Sequence, residues 1–293
     1  MIGIKKQTGE FTSFDGTSIY YEIIGEGQPL ILSYGIACTT NHWSPQIKYF
    51  SKNYQVILYD YRGHHLSAIP EDLKNMSVEA IGKDLKLLCE HLNITQASFW
   101  GHSFGAQVVC ELYRIAPQLV HSIVMINGFH KNPIKGLFGM DMVPAFEKLK
   151  HMYLELPATF EFAWKSLLES PLALPAVALS GGFNLRLTDR KDIEVYLRGV
   201  KSIPIQVFLT LFESMMEFDG SDILPTVDSP CLLIAGDKDN VTPLSFQKSL
   251  HAAIRNSELQ VIPYGSHCSQ LDMPDFVNLK IEAFLEKHQK QED

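Results

Sequence analysis

The pentapeptide Gly101-His102-Ser103-Phe104-Gly105 places a serine between two glycines, after a short apolar segment and before a helical pattern. A serine in such a strand-to-helix turn is presented at the edge of a sheet with its hydroxyl exposed. Glycines are needed on both sides because the turn is so tight that side chains at these positions would collide. This context favours a nucleophilic Ser103 over an ordinary Gly-Ser loop.

A base and an acid must accompany such a serine, because a hydroxyl group is a weak nucleophile at neutral pH. Asp237 and Asp239 follow the apolar segment Cys231–Ala235, and His267 follows Leu259–Ile262. The order Ser, Asp, His along the chain is the one that this type of turn predicts. The two aspartates are two residues apart and point to the same side of an extended segment, so the alternation leaves the choice between them open.

Two backbone N–H groups are expected to stabilise the negative charge that develops on a carbonyl oxygen during attack. One belongs to Phe104, the residue after the nucleophile, and the other should come from a loop after an early strand. The segment Ser33–Cys38 follows an apolar run at the required place, and its Ile36 is the predicted donor. The alternative is an ordinary turn that Gly35 relaxes.

Short apolar segments alternate with segments of helical period, which predicts an α/β fold with a mostly parallel sheet and helices on both faces. Asp15-Gly16 is a turn signal, and it predicts an initial hairpin from Phe11–Phe14 and Ser18–Ile24. The other predicted strands are Gln28–Ser33, Tyr54–Tyr59, Ala97–Trp100, Ser122–Ile126, Cys231–Ala235 and Leu259–Ile262. The predicted helices between and after them are Ser77–Leu92, Gly105–Ala116 and Pro274–Lys287.

The alternation stops between residues 131 and 226, in a segment rich in Met, Phe, Leu and Pro. Such an insertion predicts a helical cap over the carboxyl edge of the sheet, where ligands bind in open α/β folds. We expect a core of residues 1–130 and 227–293 and a cap of residues 131–226. The predicted cap helices are Pro144–Leu156, Thr159–Leu168, Ile193–Gly199 and Ile203–Met216.

The apolar side chains of this insertion are candidates for an acyl-binding pocket, although packing of the cap onto the core should account for more than half of them. They are Phe138, Met140, Met142, Met152, Phe160, Phe162, Trp164, Phe208, Phe212, Met215 and Met216.

Composition and charge argue against several other classes of protein. The 25 basic and 33 acidic residues give a net charge of -8 without a basic run, so no nucleic acid partner is expected. The beginning of the chain has no apolar run of signal length, and the apolar stretch after Pro171 is interrupted by prolines and glycines. We therefore expect a cytoplasmic protein without a membrane span.

A metal or cofactor is not expected either. The five cysteines are odd in number and form no C-x-x-C pair, which argues against a disulfide framework or a zinc site. His64 and His65 lack a carboxylate at ligand spacing, so structural roles are favoured for them. No glycine-rich nucleotide-binding motif occurs, and a serine mechanism needs no cofactor.

Together these motifs resemble the α/β-hydrolase fold superfamily, in its capped branch of esterases and lactonases. The resemblance implies that Asp239 is the acid and His267 the base. Two positions depart from the family pattern: Tyr34 stands where histidine is common, and His65 stands where glycine is common. The residues that carry the resemblance are Gly35, Asp60-Tyr61-Arg62-Gly63-His64, Gly101-His102-Ser103-Phe104-Gly105, Gly236-Asp237-Lys238-Asp239, Val241-Thr242-Pro243 and Gly265-Ser266-His267.

The expected activity is therefore hydrolysis of an ester, thioester or lactone of a small apolar acyl group. Tyr34, His102, Phe138, Met140 and Met215 are the predicted substrate-binding residues, and none of them is expected to be catalytic. Two alternatives stay open, since the fold does not fix the function. One is non-hydrolytic chemistry such as cofactor-free peroxidation, a lyase or an acyltransferase reaction, and the other is a small-ligand receptor.

Overall fold

A computed structural model describes residues 6–135, 140–179 and 182–289. Within these residues, eight strands form a single sheet in the order β1-β2-β4-β3-β5-β6-β7-β8. The strands are β1 Lys6–Thr12, β2 Ser18–Ile24, β3 Pro29–Ser33, β4 Gln55–Tyr59, β5 Ala97–His102, β6 Val120–Ile126, β7 Cys231–Gly236 and β8 Ser257–Ile262. All six strands expected after the hairpin are present.

The sheet is parallel from β4 to β8, whereas β2 pairs in the antiparallel direction with both β1 and β4. Each residue of β5 and of β7 is buried, as expected for strands that are covered on both faces. Because parallel strands end at the same edge, the residues that follow β5, β6, β7 and β8 come together there. The predicted fold class is confirmed.

Helices cover both faces of the sheet and form the insertion after β6. They are α1 Ser44–Phe50, α2 Val78–His91, α3 Gly105–Ile115, α4 Val143–Glu155, α5 Pro157–Glu169, α6 Ala173–Leu179, α7 Arg190–Ser202, α8 Ile205–Glu217, α9 Leu244–Ala253, α10 Ser269–Asp272 and α11 Pro274–Gln289. Four of these helices, α1, α6, α9 and α10, were not predicted from the sequence. For α6 the prolines were misleading, since Pro175 lies in its first turn, where a helix tolerates proline.

The main hydrophobic core lies between the sheet and the helices α2, α3 and α11, and its largest fully buried side chains include Trp43, Trp100 and Phe99. Burial of each such side chain stabilises the fold by roughly 1.5–3 kcal/mol. This core fixes the sheet edge on which the polar residues described below lie.

The helices α4 to α8 form smaller apolar clusters of their own, for example one that includes Phe146, Tyr153 and Leu209. The division into a core and a cap at residues 131 and 226 stays a prediction.

No single described helix has the length and apolarity needed to cross a bilayer. Among the described helices, only α7 and α8 taken together are long and apolar enough, and the chain bends by 103° between them.

Candidate active site

Ser103 lies at a sharp turn between β5 and α3. Its φ of +54° is in the left-handed region, which residues other than glycine rarely adopt. A Cβ added to Gly101 would come within 2.6 Å of the Ala106 nitrogen, and one added to Gly105 would come within 2.2 Å of the Ser33 oxygen. Both glycines are therefore required by the turn, as the sequence suggested.

His267 lies between Ser103 and Asp239 and forms a hydrogen bond with each. Its Nε2 is 2.8 Å from the Ser103 Oγ, and its Nδ1 is 2.9 Å from the Asp239 Oδ2. All three side chains are buried, with 5 to 8% of their residue surface exposed. This is the arrangement in which an imidazole can accept the serine proton while a carboxylate fixes the orientation of the ring.

The turn after β7 distinguishes the two candidate aspartates. The Asp239 Oδ1 accepts the N–H groups of Val241 and Thr242, each at 2.8 Å, and its Oδ2 accepts the Thr242 hydroxyl at 2.7 Å. Asp237 is exposed instead, with Lys238 at 3.5 Å as its ion-pair partner. The chain therefore turns after Asp237, and only Asp239 reaches His267.

Asn127, a residue that the sequence reasoning missed, joins the loops that carry Asp239 and His267. It follows β6, is fully buried, and accepts the Gly236 N–H at its Oδ1 at 2.7 Å. Its Nδ2 is 3.1 and 2.8 Å from the carbonyl oxygens of Ser266 and His267, and 2.7 Å from the Ser269 Oγ. A buried polar residue directly after a central strand was the signal that could have identified it.

A second carboxylate holds the loop of His267 in place. The Asp272 Oδ2 accepts the Ser266 N–H at 2.6 Å and the Ser266 hydroxyl at 2.7 Å. Its Oδ1 accepts the hydroxyl of Thr188, which precedes α7. His267 is thus connected both to the sheet and to the inserted helices.

The two predicted oxyanion donors lie beside the serine. A Cβ added to Gly35 would be 3.3 Å from the Ser103 Cβ, so the loop after β3 lies directly against Ser103. Neither the Ile36 N–H nor the Phe104 N–H donates a hydrogen bond to another residue that the structure describes. Both are therefore available for an oxygen on a substrate.

A cavity of about 380 Å³ opens over Ser103 and His267, and its wall is mostly apolar. It includes two of the predicted substrate-binding residues, His102 and Met215. Its described wall consists of Gly35, Ile36, Cys38, His102, Ser103, Phe129, Pro133, Ile134, Gly182, Phe183, Tyr196, Phe208, Phe212, Met215, Val241, His267 and Cys268. A wider groove of about 620 Å³ lies against α1 and α11 and contains none of the catalytic candidates, so the smaller cavity is the relevant one.

Two predicted substrate-binding residues are not part of this wall. Tyr34 is fully buried beneath it: its ring packs on Tyr61 at 4.4 Å, and its hydroxyl donates to the Asp60 Oδ1 at 3.2 Å. Met140 is 58% exposed and lies away from the cavity. The structure thus places neither residue at the cavity, because position along the chain does not reveal which way a side chain points, and their contact with substrate stays a prediction. Phe138 lies outside the described residues.

Most of the cavity wall could not be identified beforehand. Phe208, Phe212 and Met215 were in the list of apolar candidates, whereas Phe162 from the same list is 74% exposed. The aromatic wall residues Phe183 and Tyr196 were missed. No sequence signal separates wall residues from packing residues in an insertion that is apolar throughout.

Cys38, His42 and His102 are the described residues that could together hold a metal ion, since their ligand atoms lie within 4.8 Å of one another. Burial raises the pKa of the Cys38 thiol to about 12 and lowers the pKa of His42 to about 3. The His102 Nε2 donates to the His267 carbonyl at 2.9 Å, which leaves Nδ1 without a partner among the described residues. A protonated thiol is a poor ligand, because metals bind the thiolate. The absence of a metal stays a prediction.

Comparison with known families gives the same fold. Residues 28–274 match the model of the alpha/beta hydrolase fold family, and they include the serine turn, the acid turn and the histidine loop. This chain belongs to the alpha/beta hydrolase fold family.

Relatives within this family extend over nearly the whole chain. "Putative carbamate hydrolase RutD" of Azorhizobium caulinodans is 26% identical over 268 residues, which are 91% of this chain and 94% of that protein. "(E)-2-((N-methylformamido)methylene)succinate hydrolase" of Acinetobacter baylyi is 26% identical over 275 residues, with 92% and 94% covered. A thermophilic esterase from Thermogutta terrifontis superposes with a TM-score of 0.78 at 22% identity, with 96% and 99% covered. At this identity the structural match supports the fold alone.

Proposed function

We propose that this alpha/beta hydrolase fold protein is a serine hydrolase that cleaves an uncharged, largely apolar carboxylic ester, thioester or lactone. The observation that carries the proposal is the continuous hydrogen-bonded series from Ser103 through His267 to Asp239 at the base of an apolar cavity. Membership of the family and the hydrolase names of its relatives support the general reaction.

The reaction begins with attack of the Ser103 Oγ on the substrate carbonyl carbon, while its proton moves to the His267 Nε2. Asp239 orients the ring and stabilises the imidazolium that forms. The N–H groups of Ile36 and Phe104 donate to the new oxyanion. As the carbonyl forms again, the bond to the leaving oxygen or sulfur breaks, and His267 gives that atom the proton.

The second half of the reaction repeats these steps with water. His267 accepts a proton from a water molecule as the water oxygen attacks the acyl-serine carbon. Collapse of the second tetrahedral intermediate breaks the bond to Ser103, which regains its proton from His267. The products are a carboxylic acid and the alcohol or thiol; for a lactone the two groups stay in one molecule.

The chemistry of the cavity wall supports an uncharged substrate. No lysine, arginine, aspartate or glutamate occurs among the wall residues that the structure describes. Burial raises the pKa of the Cys38 thiol, the Cys268 thiol and the Tyr196 phenol, so all three stay neutral. Burial also lowers the pKa of His102 well below its usual value, which leaves that imidazole uncharged.

A carboxylate that entered this wall would lose its hydration without gaining a cationic partner, at a cost of several kcal/mol. The relative from Acinetobacter baylyi is named for a succinate, which carries two carboxyl groups. We therefore do not extend that substrate to this chain. The wall favours an alkyl or aromatic acyl group, and the volume of about 380 Å³ is at the small end of ligand cavities, which span roughly 300–1,000 Å³.

Two p-nitrophenyl esters with the same four-carbon acyl chain test this proposal. Butyrate ends in a methyl group and the hemisuccinate ends in a carboxylate, so they differ only in the group at the end of the chain, which is apolar in one and charged in the other. We expect kcat/KM to be higher for the butyrate by on the order of a hundredfold, because of the cost of desolvating the carboxylate.

Ser103→Ala is the control for the mechanism, and its release of p-nitrophenol should fall to the level of the buffer. Equal kcat/KM for the two esters would contradict the uncharged substrate. Undiminished turnover by Ser103→Ala would contradict the serine mechanism, whichever of the two esters the protein prefers.

A further inference from the structure

The loop after β4 contains a strained residue at one of the two positions that depart from the family pattern. His65 has a φ of +47°, a left-handed conformation that is unfavourable for a residue with a Cβ. A glycine would adopt this backbone without strain. The strain at His65 raises the question of what its side chain contributes.

The backbone around His65 is fixed independently of that side chain. The Ser67 N–H donates to the His64 carbonyl at 2.9 Å, and the Asp60 Oδ2 accepts the Leu66 N–H at 3.2 Å. The Ser67 hydroxyl also donates to the Asp60 carbonyl at 2.7 Å. The loop can therefore keep its shape when the imidazole is removed.

The imidazole of His65 connects two segments that are distant in sequence. Its Nε2 donates to the Cys38 carbonyl at 2.6 Å, and its Nδ1 is 2.8 Å from the Ser202 Oγ in the last residue of α7. The Ser202 hydroxyl has a single proton, which it can donate either to the His65 Nδ1 or to the Gly199 carbonyl, each at 2.8 Å. The imidazole thus joins the loop after β3 to the end of α7.

Cys38 ends the turn that carries the Ile36 N–H. The Cys38 N–H donates to the Gly35 carbonyl at 3.0 Å, which closes the turn, and Ala37 within it has a φ of +59°. On one side Gly35 lies against Ser103; on the other, a Cβ added to Gly199 of α7 would come within 2.4 Å of the Ala37 oxygen. The turn lies between the nucleophile and α7, and the His65 imidazole holds its last carbonyl.

We propose that His65 is a positioning residue that holds the Gly35–Cys38 turn, and with it the Ile36 N–H, in place over Ser103 and joins that turn to α7. The role of Ile36 in this inference rests on the proposed function. Because a displacement of about 1 Å in a catalytic group can lower a rate about a hundredfold, a looser turn should slow the chemical step. Substrate binding should change little, since His65 is not in the cavity wall.

His65→Gly tests this role, because glycine removes the imidazole and also relieves the strained φ. We expect kcat for p-nitrophenyl butyrate to fall about tenfold or more, with KM within about twofold. The melting temperature should change little, because relief of the strained φ offsets the lost hydrogen bonds. Leu66→Ala is the matched control in the same loop, because Leu66 is 63% exposed. It should leave kcat unchanged.

Amide hydrogen exchange of the peptide that covers residues 35–38 gives a measurement that is independent of activity. Exchange should be faster in His65→Gly and unchanged in Leu66→Ala. Ser202→Ala should lower kcat less than His65→Gly does, and the double variant should be no slower than His65→Gly alone.

Unchanged exchange at residues 35–38 in His65→Gly would overturn the inference even if the protein had no esterase activity. A wild-type kcat in His65→Gly would also overturn it, while Ser103-dependent turnover would leave the proposed function intact. A fall in melting temperature with no selective change in exchange would indicate a purely structural histidine.

Discussion

The carboxyl edge of the sheet and the inserted helices α4 to α8 contribute to the same cavity by different physical means. At the sheet edge, Asp239 and His267 are buried, and each has hydrogen-bond partners with defined geometry. The inserted helices contribute apolar contacts such as Phe212, while other apolar side chains of theirs are exposed, for example Phe162 at 74% and Leu154 at 63%.

Hydrogen bonds are directional, and a buried donor or acceptor that loses its partner is costly, so the sheet edge permits few arrangements. Apolar contacts have no such direction, and substitutions of similar volume are usually tolerated. Under the proposed function, we expect the sheet edge to fix the reaction and the inserted helices to adjust which acyl group fits.

Removal of the Asp239 carboxylate is expected to have the largest effect. Asp239→Asn should lower kcat by on the order of a hundredfold or more, because an amide cannot hold the imidazole in the required tautomer or stabilise its charge. Asp237→Asn, two residues earlier and exposed, is the matched control and should stay within about twofold of the wild type. Steady-state kinetics with p-nitrophenyl butyrate measures both.

Equal losses in the two variants would show that the sheet edge does not distinguish Asp239 from Asp237. A small loss in Asp239→Asn together with a large one in Asp237→Asn would transfer the acid role to Asp237. Either result would remove the main contrast between the two regions.

Substitution in the inserted helices should change specificity with a smaller effect on rate. Phe212→Ala removes a ring from the cavity wall and so enlarges the cavity. The preferred p-nitrophenyl ester should therefore have a longer acyl chain, with about a tenfold loss of kcat/KM for butyrate. Phe162→Ala is the control on α5, because its ring is 74% exposed. It should leave the chain-length profile unchanged.

A profile that shifts equally in both variants would mean that Phe212 acts through the stability of the insertion. A loss of kcat for all chain lengths in Phe212→Ala would place this residue with the catalytic apparatus. The assay is a series of esters from acetyl to dodecanoyl, read as kcat and KM separately.

The same contrast explains how far the sequence could predict the structure. Ser103, Asp239 and His267 each follow a strand that can be recognised from a short apolar run in the sequence. In a parallel sheet the carboxyl ends of these strands lie at the same edge, which brings the three residues together. The choice between Asp237 and Asp239 depended on how the turn after β7 folds, which alternation along the chain does not describe.

The cavity wall was less predictable, because it is formed by tertiary packing. Tyr34 was expected to contact substrate, yet its hydroxyl is held by Asp60 beneath the wall. Phe183 and Tyr196 line the cavity from segments that carry no distinguishing motif. Asn127 and His65 connect loops that are distant in sequence, so their partners could be identified only in the folded chain.

The most direct test of the central claim is to label the protein with a fluorophosphonate, which reacts with an activated serine, and to map the labelled peptide. The account predicts one adduct, on Ser103, and no adduct in Ser103→Ala. Slower labelling of Asp239→Asn than of Asp237→Asn is expected in the same experiment, since only the former loses the carboxylate that orients His267. An adduct on any other peptide, or labelling that persists in Ser103→Ala, would contradict the account.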